Sequence, residues 1–394
     1  MTKKRVLIMS VGAGMGHIKA AEALEKTFEA DDHVAEVINN DALQYTNKLF
    51  RDFYSTFYTS LVKSAPNFLG WWYKTSDEPW RTDTMRHMID RLNTKPLVRF
   101  IRAFNPHITV CTHFMPAGII SHLIAKQQLQ ARLSIVVTDF DFHAMWLSRA
   151  FHRYFVAIDE TKAHLQMLGI PTERITVSGI PIDPVFRRPF DKTVECLSHG
   201  LDPERPILLL SAGALGVTPS ELMLEQLIKL RRDVQIIAVC GQDAELKYRV
   251  ENQAKALGER NIRVFGYTRE MHRLMKMADI FIGKPGGLTT AETIASGLPM
   301  CVINPIPGQE ERNCDHLLEE GIAVKCNDLT TLPFKIERLL SDPARLATMR
   351  EKALQFARPK ASETIVRTLI DEHLPPLSFS RKERAAMAEV AAIA

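Results

Sequence analysis

The segment Ile280-Phe-Ile-Gly-Lys-Pro-Gly-Gly-Leu-Thr-Thr-Ala-Glu292 decides the fold of the second half of this chain. Its apolar start predicts a buried strand, its two glycines a tight turn, and its remainder the beginning of a helix. The main-chain amides of Gly286, Gly287 and Leu288 then point out of the helix start, where the helix dipole favours an anion. Glu292 follows inside the helix and suits the hydroxyls of a ribose. The stretch therefore predicts a site for a nucleotide-sugar phosphate.

A second turn, Pro-Gly-Gln-Glu-Glu-Arg-Asn at 307–313, follows the next predicted strand, Met300 to Ile303. It places Gln309, Glu310 and Asn313 at another helix start. Adjacent parallel strands end at one edge of a sheet, where such sheets bind ligands. We therefore expect one turn to hold phosphates and the next to contact sugar hydroxyls. Glycine pairs also occur where a chain merely reverses, and that alternative stays open.

The composition is that of a globular protein with room for two domains. The chain has 394 residues, of which 46% are hydrophobic and 24% are charged. The apolar run that follows the basic N-terminus ends at Gly12. This run is too short for a secretory signal. The apolar stretch 107–125 is interrupted by histidines and a proline, so no transmembrane helix is expected. Six cysteines without a C-x-x-C pair predict reduced cytosolic thiols, with no disulfide framework or zinc site.

Positive charge is concentrated in one aromatic segment. Residues 45–105 contain ten Lys and Arg against five Asp and Glu, together with three of the four tryptophans. This mixture is typical of contact with an anionic membrane surface. Within it we expect Asn67 to Tyr73 to form a short loop that meets lipid. The contact residues would be Phe68, Trp71, Trp72 and Tyr73. A packed helix face is the alternative, and nucleic acid is not expected because the charge surplus is small.

Strand and helix patterns alternate along the chain in two consecutive series. The first has predicted strands near 5–10, 34–38, 108–111, 134–137, 152–156 and 174–178. The second has them near 207–210, 234–240, 262–265, 279–282, 300–303 and 322–325. Two such series predict an α/β protein with two doubly wound, Rossmann-like domains and substrates in an interdomain cleft. The expected boundaries are 1–186 for an acceptor and membrane-docking domain, 187–206 for a linker, 207–360 for a donor domain, and 361–394 for a C-terminal helix and tail.

The turn after the first strand carries a histidine at the start of a helix. Its glycines, Gly12, Gly14 and Gly16, resemble a dinucleotide fingerprint, but the third falls one place early. No acidic residue closes the predicted second strand, where two asparagines precede Asp41, so hydride transfer is disfavoured. At a helix N-terminus the dipole keeps His17 neutral, which suits a general base for an acceptor hydroxyl. A purely structural histidine is the alternative.

A later turn, Thr138-Asp-Phe-Asp-Phe-His143, contains two aspartates at a spacing that elsewhere chelates a metal. These aspartates belong to the first domain and the phosphate turns to the second, so we predict no metal and no other cofactor. Asp139 is expected to orient the base or the acceptor, and His143 with Trp146 to line the acceptor path. All three residues also suit packing.

Two further turns belong to the predicted donor domain. Ser211-Ala-Gly-Ala-Leu-Gly216 follows its first strand, and its small residues would let Gly213 approach phosphate oxygens. Phe265-Gly-Tyr267 ends a later strand, where a nucleotide base would stack or bond to the main chain. Each of these two signals is weak alone.

Taken together, these turns resemble the lipid glycosyltransferases of the GT-B type. The similarity is to bacterial processive diacylglycerol glucosyltransferases and plant monogalactosyldiacylglycerol synthases, in glycosyltransferase family 28. The motifs that carry it are Gly-x-Gly-His17, Thr-Asp-Phe-x-x-His-x-x-Trp at 138–146, Ser-Gly-Ile-Pro-Ile at 178–182, Lys-Pro-Gly-Gly-x-Thr at 284–289 and Pro-Gly-Gln-Glu at 307–310.

The resemblance implies transfer of glucose or galactose from a UDP-sugar to diacylglycerol, with inversion, by a peripheral enzyme at the inner face of the cell membrane. On it His17 matches the base and Glu292 the ribose ligand. The remaining donor residues are the diphosphate turn of Gly286, Gly287 and Thr289 and the hexose contacts Gln309 and Glu310. The basic aromatic segment matches the membrane-docking region and so implies anionic lipids as partners. Asp141 stands where the family pattern is free and receives no function.

Three other functions stay open. A transferase that acts on a polyprenyl-linked precursor with UDP-GlcNAc is a close variant. A UDP-sugar epimerase would share the donor turns without needing a lipid-docking surface. A UDP-sugar sensor would keep Glu292 and tolerate loss of His17.

Overall fold

The computed structural model describes residues 3–12, 15–46, 51, 66–78, 94–216, 218–257, 261–372 and 377. The chain separates into two compact units, one formed by Met1–Pro184 with Pro359–Ala394 and the other by Val185–Arg358. Each unit has its own six-stranded parallel sheet. The predicted α/β class with two doubly wound domains is confirmed.

The sheet of the first unit has the strand order β2-β1-β3-β4-β5-β6. Its strands are β1 (Lys4–Ser10), β2 (Val34–Asp41), β3 (Ile108–Cys111), β4 (Leu133–Val136), β5 (Arg153–Val156) and β6 (Ile175–Val177). The order reverses between β1 and β3, and such a reversal opens a crevice at the carboxyl ends of the strands. The turns after β1, β3 and β4 therefore lie side by side.

Helices cover both faces of this sheet. Those described before the second unit are α1 (Met15–Glu29), α2 (Pro66–Thr75), α3 (Lys95–Phe104), α4 (Phe114–Ala125) and α5 (Asp159–Met167). Alternate residues of β1 enter different cores, because successive side chains of a strand point to opposite faces. Leu7 and Met9 lie in one apolar cluster, and Val6 and Ile8 lie in the other. Burial on both faces explains the continuous apolar runs that predicted these strands.

The second unit repeats this plan with the strand order β12-β11-β10-β7-β8-β9. Its strands are β7 (Ile207–Ser211), β8 (Gln235–Val239), β9 (Ile262–Phe265), β10 (Ile280–Gly283), β11 (Met300–Ile303) and β12 (Ala323–Cys326). Its helices are α6 (Lys192–Ser198), α7 (Ser220–Leu227), α8 (Ala244–Ala256), α9 (Met271–Met277), α10 (Gly287–Ala295), α11 (Gln309–Glu319), α12 (Leu332–Leu340) and α13 (Pro343–Phe356). The order reverses between β7 and β10, so the turns after these strands are neighbours.

The last described helix, α14 (Ala361–Asp371), returns to the first unit and packs against α1. Ile365 and Leu369 share an apolar cluster with Leu24 and Phe28 of α1. The residues that we predicted as a separate C-terminal helix and tail thus include a helix that completes the first unit's core.

The predicted linker, 187–206, lies in the second unit and contains α6. This helix packs against α9, and the Lys192 ammonium lies 2.9 Å from the Asp279 carboxylate. Pro189, Pro203 and Pro206 flank this short helix, and Gly200 after it has a left-handed φ of 67°. Here the tertiary contacts, and not the local composition, decide where the segment belongs.

Two local predictions are wrong. Residues 67–73, expected as a loop, lie within α2, whose first residue, Pro66, is favourable at a helix start. Strand β2 continues through its asparagines to Asp41, held by pairing with β1, so an acidic residue does close it. The Asp41 carboxylate accepts hydrogen bonds from the main-chain amides of Gly12 (3.2 Å) and Leu43 (2.9 Å). Asp41 therefore braces the first turn.

Candidate functional site

His17 is held by residues from two neighbouring strand ends. It is the third residue of α1, after β1, and its Nδ1 lies 3.0 Å from the main-chain oxygen of Thr112. The Thr138 hydroxyl lies 2.7 Å from the same nitrogen. Thr112 follows β3 and Thr138 follows β4, so the strand order alone brings these three residues together. The Thr112 hydroxyl also donates to the His17 main-chain oxygen at 3.0 Å.

These contacts fix which ring nitrogen of His17 carries the proton. A carbonyl oxygen only accepts hydrogen bonds, so Nδ1 must be protonated and the Thr138 hydroxyl must accept from it as well. The neutral ring then has its lone pair on Nε2, to which none of the described residues hydrogen-bonds. Burial lowers the pKa of His17 to about 4, although the Thr112 carbonyl opposes this shift. The geometry therefore presents a neutral imidazole that can accept a proton at Nε2.

Aromatic groups enclose this imidazole. The ring of His113 meets that of His17 edge to face with centroids 4.6 Å apart, and the Trp146 ring lies at 6.4 Å. His113 is buried, and its Nδ1 accepts from the main-chain amide of Met115 at 3.0 Å. Burial first, and then the charge of His17, holds the pKa of His113 well below its usual value. Both rings are therefore neutral at physiological pH.

The residues predicted from the 138–146 turn are all buried. The Nδ1 of His17 is contacted by Thr138 and not by Asp139, whose orienting function stays a prediction. His143 donates from Nε2 to the main-chain oxygen of Tyr73 at 2.8 Å, and its Nδ1 accepts from the amide of Met145. No group of three metal-ligating side chains forms among the described residues.

In the second unit, the predicted phosphate turn has the expected form. Strand β10 ends at Gly283, and α10 begins at Gly287, with Gly286 as its N-cap in an extended backbone conformation. The first helical bond runs from the Thr290 amide to the Gly286 oxygen at 2.8 Å. The amides of residues 287–289 therefore precede the helical ladder. The predicted residues Gly286, Gly287, Leu288 and Thr289 form one helix start, and Glu292 lies one turn further along α10.

The turn after β11 packs beside this helix start, as the pairing of β10 with β11 predicted. Gln309 and Glu310 are the first two residues of α11, and one Glu310 oxygen accepts from the Ile306 amide at 2.6 Å. The other lies 3.6 Å from the point where a Gly286 Cβ would be. Asn313 is fully buried and donates from Nδ2 to the Pro285 oxygen at 3.0 Å. Asn313 thus stabilises the phosphate turn through a hydrogen bond to its main chain.

The remaining predicted donor residues lie along the same sheet edge. Gly213 follows β7, has a left-handed φ of 75°, and has open space where a Cβ would be. The turn after β10 approaches this turn closely, since a Cβ on Gly283 would lie 3.1 Å from the Ser211 oxygen. Phe265 ends β9, two strands beyond β7, and the Tyr267 side chain is exposed. The turns after β7 and β10 therefore lie next to each other at this edge.

Solved structures with the same fold match more than nine-tenths of this chain. A crystal structure of MurG from Acinetobacter baumannii has a TM-score of 0.58 and 18% identity over 94% of this chain and 100% of that one. UDP-GlcNAc 2-epimerase from Neisseria meningitidis, bound to UDP-GlcNAc, has a TM-score of 0.61 and 13% identity over 93% and 100%. The fold is GT-B.

Sequence comparison shows which glycosyltransferases this chain resembles. Residues 17–182 match the monogalactosyldiacylglycerol (MGDG) synthase family, and residues 198–356 match glycosyl transferases group 1. A processive diacylglycerol beta-glucosyltransferase of Bacillus cereus (strain AH187) is 29% identical over 391 residues, 94% of this chain and 95% of that protein. The resemblance to the GT-B lipid glycosyltransferases is confirmed. Each family match falls within one structural unit of the chain.

Sequence reasoning missed three residues of the His17 site. Thr112, His113 and Thr138 contact the His17 ring or its nitrogen, yet only His17 was singled out. Thr112 and His113 are the first two residues after β3, and Thr138 is the second residue after β4. That signal, a polar residue at a strand's carboxyl end next to the strand that leads to His17, would have found them.

The membrane candidates are only partly described. Helix α2 leaves the Trp71 side chain 60% exposed, which suits contact with another surface. Tyr73 is 9% exposed and packs on His143 with ring centroids 4.0 Å apart, so its ring is not available to lipid. The side chains of Phe68 and Trp72 lie outside the described residues, as does much of the basic aromatic segment. In the described part of the chain, no helix has both the length and the apolar character to cross a bilayer.

Proposed function

We propose that this protein transfers glucose from UDP-glucose to diacylglycerol, with inversion at the anomeric carbon. The observation that carries the proposal is the match to a processive diacylglycerol beta-glucosyltransferase along nearly the whole of both chains. UDP-glucose carries its phosphate in the α configuration, so a β product requires a single displacement. Galactose, the sugar of the matched synthase family, is the competing donor sugar.

The first unit would supply the base. Nε2 of His17 takes the proton of a glycerol hydroxyl, whose oxygen forms a bond to the anomeric carbon. The bond from that carbon to the phosphate oxygen breaks, and UDP leaves with the electron pair. The Thr112 carbonyl and Thr138 hydroxyl, both on the Nδ1–H of His17, stabilise the imidazolium as it forms.

The second unit would hold the donor. The amides at the start of α10 receive the diphosphate, with the helix dipole aligned to favour its charge. Glu292 accepts from the ribose hydroxyls, and Gln309 with Glu310 contacts the hexose. Gly213 and the Phe265–Tyr267 turn would accommodate the rest of the nucleotide. On this proposal the reaction needs no metal ion.

Diacylglycerol lies in a bilayer, so the enzyme would act at the surface of the cell membrane, on its inner face. The net positive, tryptophan-rich segment 45–105 and the exposed Trp71 side chain support docking to anionic lipids. Transfer should therefore be faster on vesicles that contain anionic phospholipid than on neutral vesicles of equal diacylglycerol content.

The test is to incubate the protein with labelled UDP-glucose or UDP-galactose and diacylglycerol vesicles, and to measure glycolipid. His17→Gln should lower the rate by about 10²- to 10⁴-fold, the range for removal of a general base, while UDP affinity is unchanged. His33→Gln is the matched control, because His33 is an exposed histidine of the same unit paired with Asp31.

Two outcomes would reject the proposal. Isomerisation of a UDP-sugar without any lipid would indicate an epimerase, the chemistry of one fold neighbour. Transfer of GlcNAc to a polyprenyl-linked acceptor, with none to diacylglycerol, would indicate the other close alternative. Wild-type transfer by His17→Gln would remove the base assignment alone.

A further inference from the structure

The phosphate turn contains a lysine to which the mechanism above gives no function. Lys284 directly follows the last residue of β10 and stands two residues before Gly286, the cap of α10. Its side chain is only partly exposed. Position alone thus places an ammonium group beside the helix start that would receive the diphosphate.

The Lys284 ammonium has no hydrogen-bond acceptor among the described residues. No residue in the described parts of the chain hydrogen-bonds or forms an ion pair with it. Burial, the larger effect, lowers the pKa of Lys284, and the carboxylate of Glu310 opposes this. A half-buried cation without a partner is unfavourable, since it loses hydration and gains no hydrogen bond in return. An anionic ligand would compensate for the lost hydration by accepting a hydrogen bond from the ammonium.

The charge around the turn also requires a cation. One oxygen of Glu310 lies 3.6 Å from the Cβ position of Gly286, and the other is held by the Ile306 amide. A carboxylate is therefore fixed beside the place proposed for a diphosphate, which carries like charge. Helix amides contribute only about half an elementary charge. The charge of Lys284 interacts with that of Glu310, so this lysine supplies a full positive charge to the turn between β10 and α10.

We propose that the Lys284 ammonium binds the β-phosphate of the donor and stabilises UDP as it leaves, while Glu310 keeps the ammonium beside the turn. Lys284 stays protonated throughout and exchanges no proton with the substrate. The protein's own cation thereby provides the charge that a divalent metal provides in other phosphate-transfer sites. The donor site itself rests on the proposed function, whereas the assignment of Lys284 to the β-phosphate goes beyond it.

The experiment compares binding of UDP and UMP, which lacks the β-phosphate, by titration calorimetry. The variants are Lys284→Gln, Lys284→Arg and the matched control Lys229→Gln. Lys229 follows α7 and precedes β8, so it lies at the opposite edge of the same sheet, and its ammonium contacts the Gln226 side chain. All titrations are run with EDTA and again with Mg²⁺, and thermal melting confirms that each variant is folded.

Lys284→Gln should weaken UDP binding about 10- to 100-fold, the range for loss of a charge-assisted hydrogen bond, and UMP binding less than about threefold. Lys284→Arg should retain most of the UDP affinity, and Lys229→Gln all of it, with or without Mg²⁺. Unchanged UDP affinity in Lys284→Gln, equal losses for UDP and UMP, or restoration of UDP binding by Mg²⁺ in the wild type after EDTA would overturn the assignment.

The two proposals fail separately. Selective loss of UDP binding in Lys284→Gln, with no glycolipid formed by the wild type, would support the lysine and reject the lipid acceptor. Glycolipid formed by Lys284→Gln at the wild-type rate would support the function and reject the lysine.

Discussion

Replacing Thr138 with valine tests the arrangement of the His17 ring. The substitution keeps the branched shape of a buried residue and removes only the hydroxyl that lies 2.7 Å from Nδ1. The Thr112 carbonyl, at 3.0 Å, still accepts from Nδ1–H, so the tautomer is preserved. What is lost is one of two acceptors that stabilise the imidazolium formed when the ring takes a proton.

The size of the effect follows from that geometry. A hydrogen bond to a charged group contributes about 1.5–3 kcal/mol and a neutral one about 0.5–1.5 kcal/mol, so protonation of the ring strengthens the bond by about 1 kcal/mol, and about 1.36 kcal/mol corresponds to a tenfold rate. We expect Thr138→Val to lower kcat about 2- to 10-fold, well short of the His17→Gln loss. The KM for the UDP-sugar should not change, because the donor turns belong to the second unit. Thr138→Ser, which keeps the hydroxyl, should restore kcat to within about twofold.

The measurement is glycolipid formation on diacylglycerol vesicles, with kcat and KM determined separately for each variant. Thr109→Val is the matched control, because Thr109 is a fully buried threonine of β3 whose hydroxyl has no hydrogen-bond partner in the described parts of the chain. Its replacement should leave kcat unchanged and leave thermal stability equal or slightly higher, since an unsatisfied buried hydroxyl is unfavourable.

Three results would refute the reasoning. A wild-type kcat in Thr138→Val would show that the hydroxyl does not act on the base. A loss as large as that of His17→Gln would mean that Thr138, and not the Thr112 carbonyl, fixes the tautomer. A rise confined to the KM for the UDP-sugar would place Thr138 at the donor and not at the base.

Three further predictions follow from burial. Because burial lowers the pKa of His17 to about 4, the acidic limb of the kcat/KM profile should lie near pH 4 and not near 6.5, as measured on vesicles between pH 3.5 and 8. The same shift should make the fold less stable as pH falls from 6.5 towards 4, because the unfolded chain binds a proton there that the folded ring does not. Asn313→Ala should lower the free energy of unfolding by about 1–3 kcal/mol in urea titrations, since it leaves the Pro285 oxygen without its buried donor; an unchanged midpoint would contradict this.

Local sequence determined the secondary structure of this protein to a large extent. Three predicted strands, 108–111, 262–265 and 300–303, have the observed bounds, and those at 108–111 and 300–303 are buried along their whole length. The glycine turns after β1 and β10 were also visible, since small residues and a following helical pattern are neighbours in the chain. The helix of residues 66–75 was missed because its glycine and paired aromatics favour a loop as much as a helix.

Tertiary structure decided which distant residues meet. Thr112 and Thr138 lie 95 and 121 residues from His17, and they reach its ring only because β3 and β4 are placed next to β1. The return of α14 to the first unit likewise depends on an apolar surface of α1 more than 330 residues earlier in the chain. The periodicity of apolar residues indicates which side of a segment is buried. Strand order and helix docking depend instead on packing between segments. The sequence therefore determined the strands, the turns and the histidine, and only the packed sheet determined that Nδ1 of His17 carries the proton and Nε2 the lone pair.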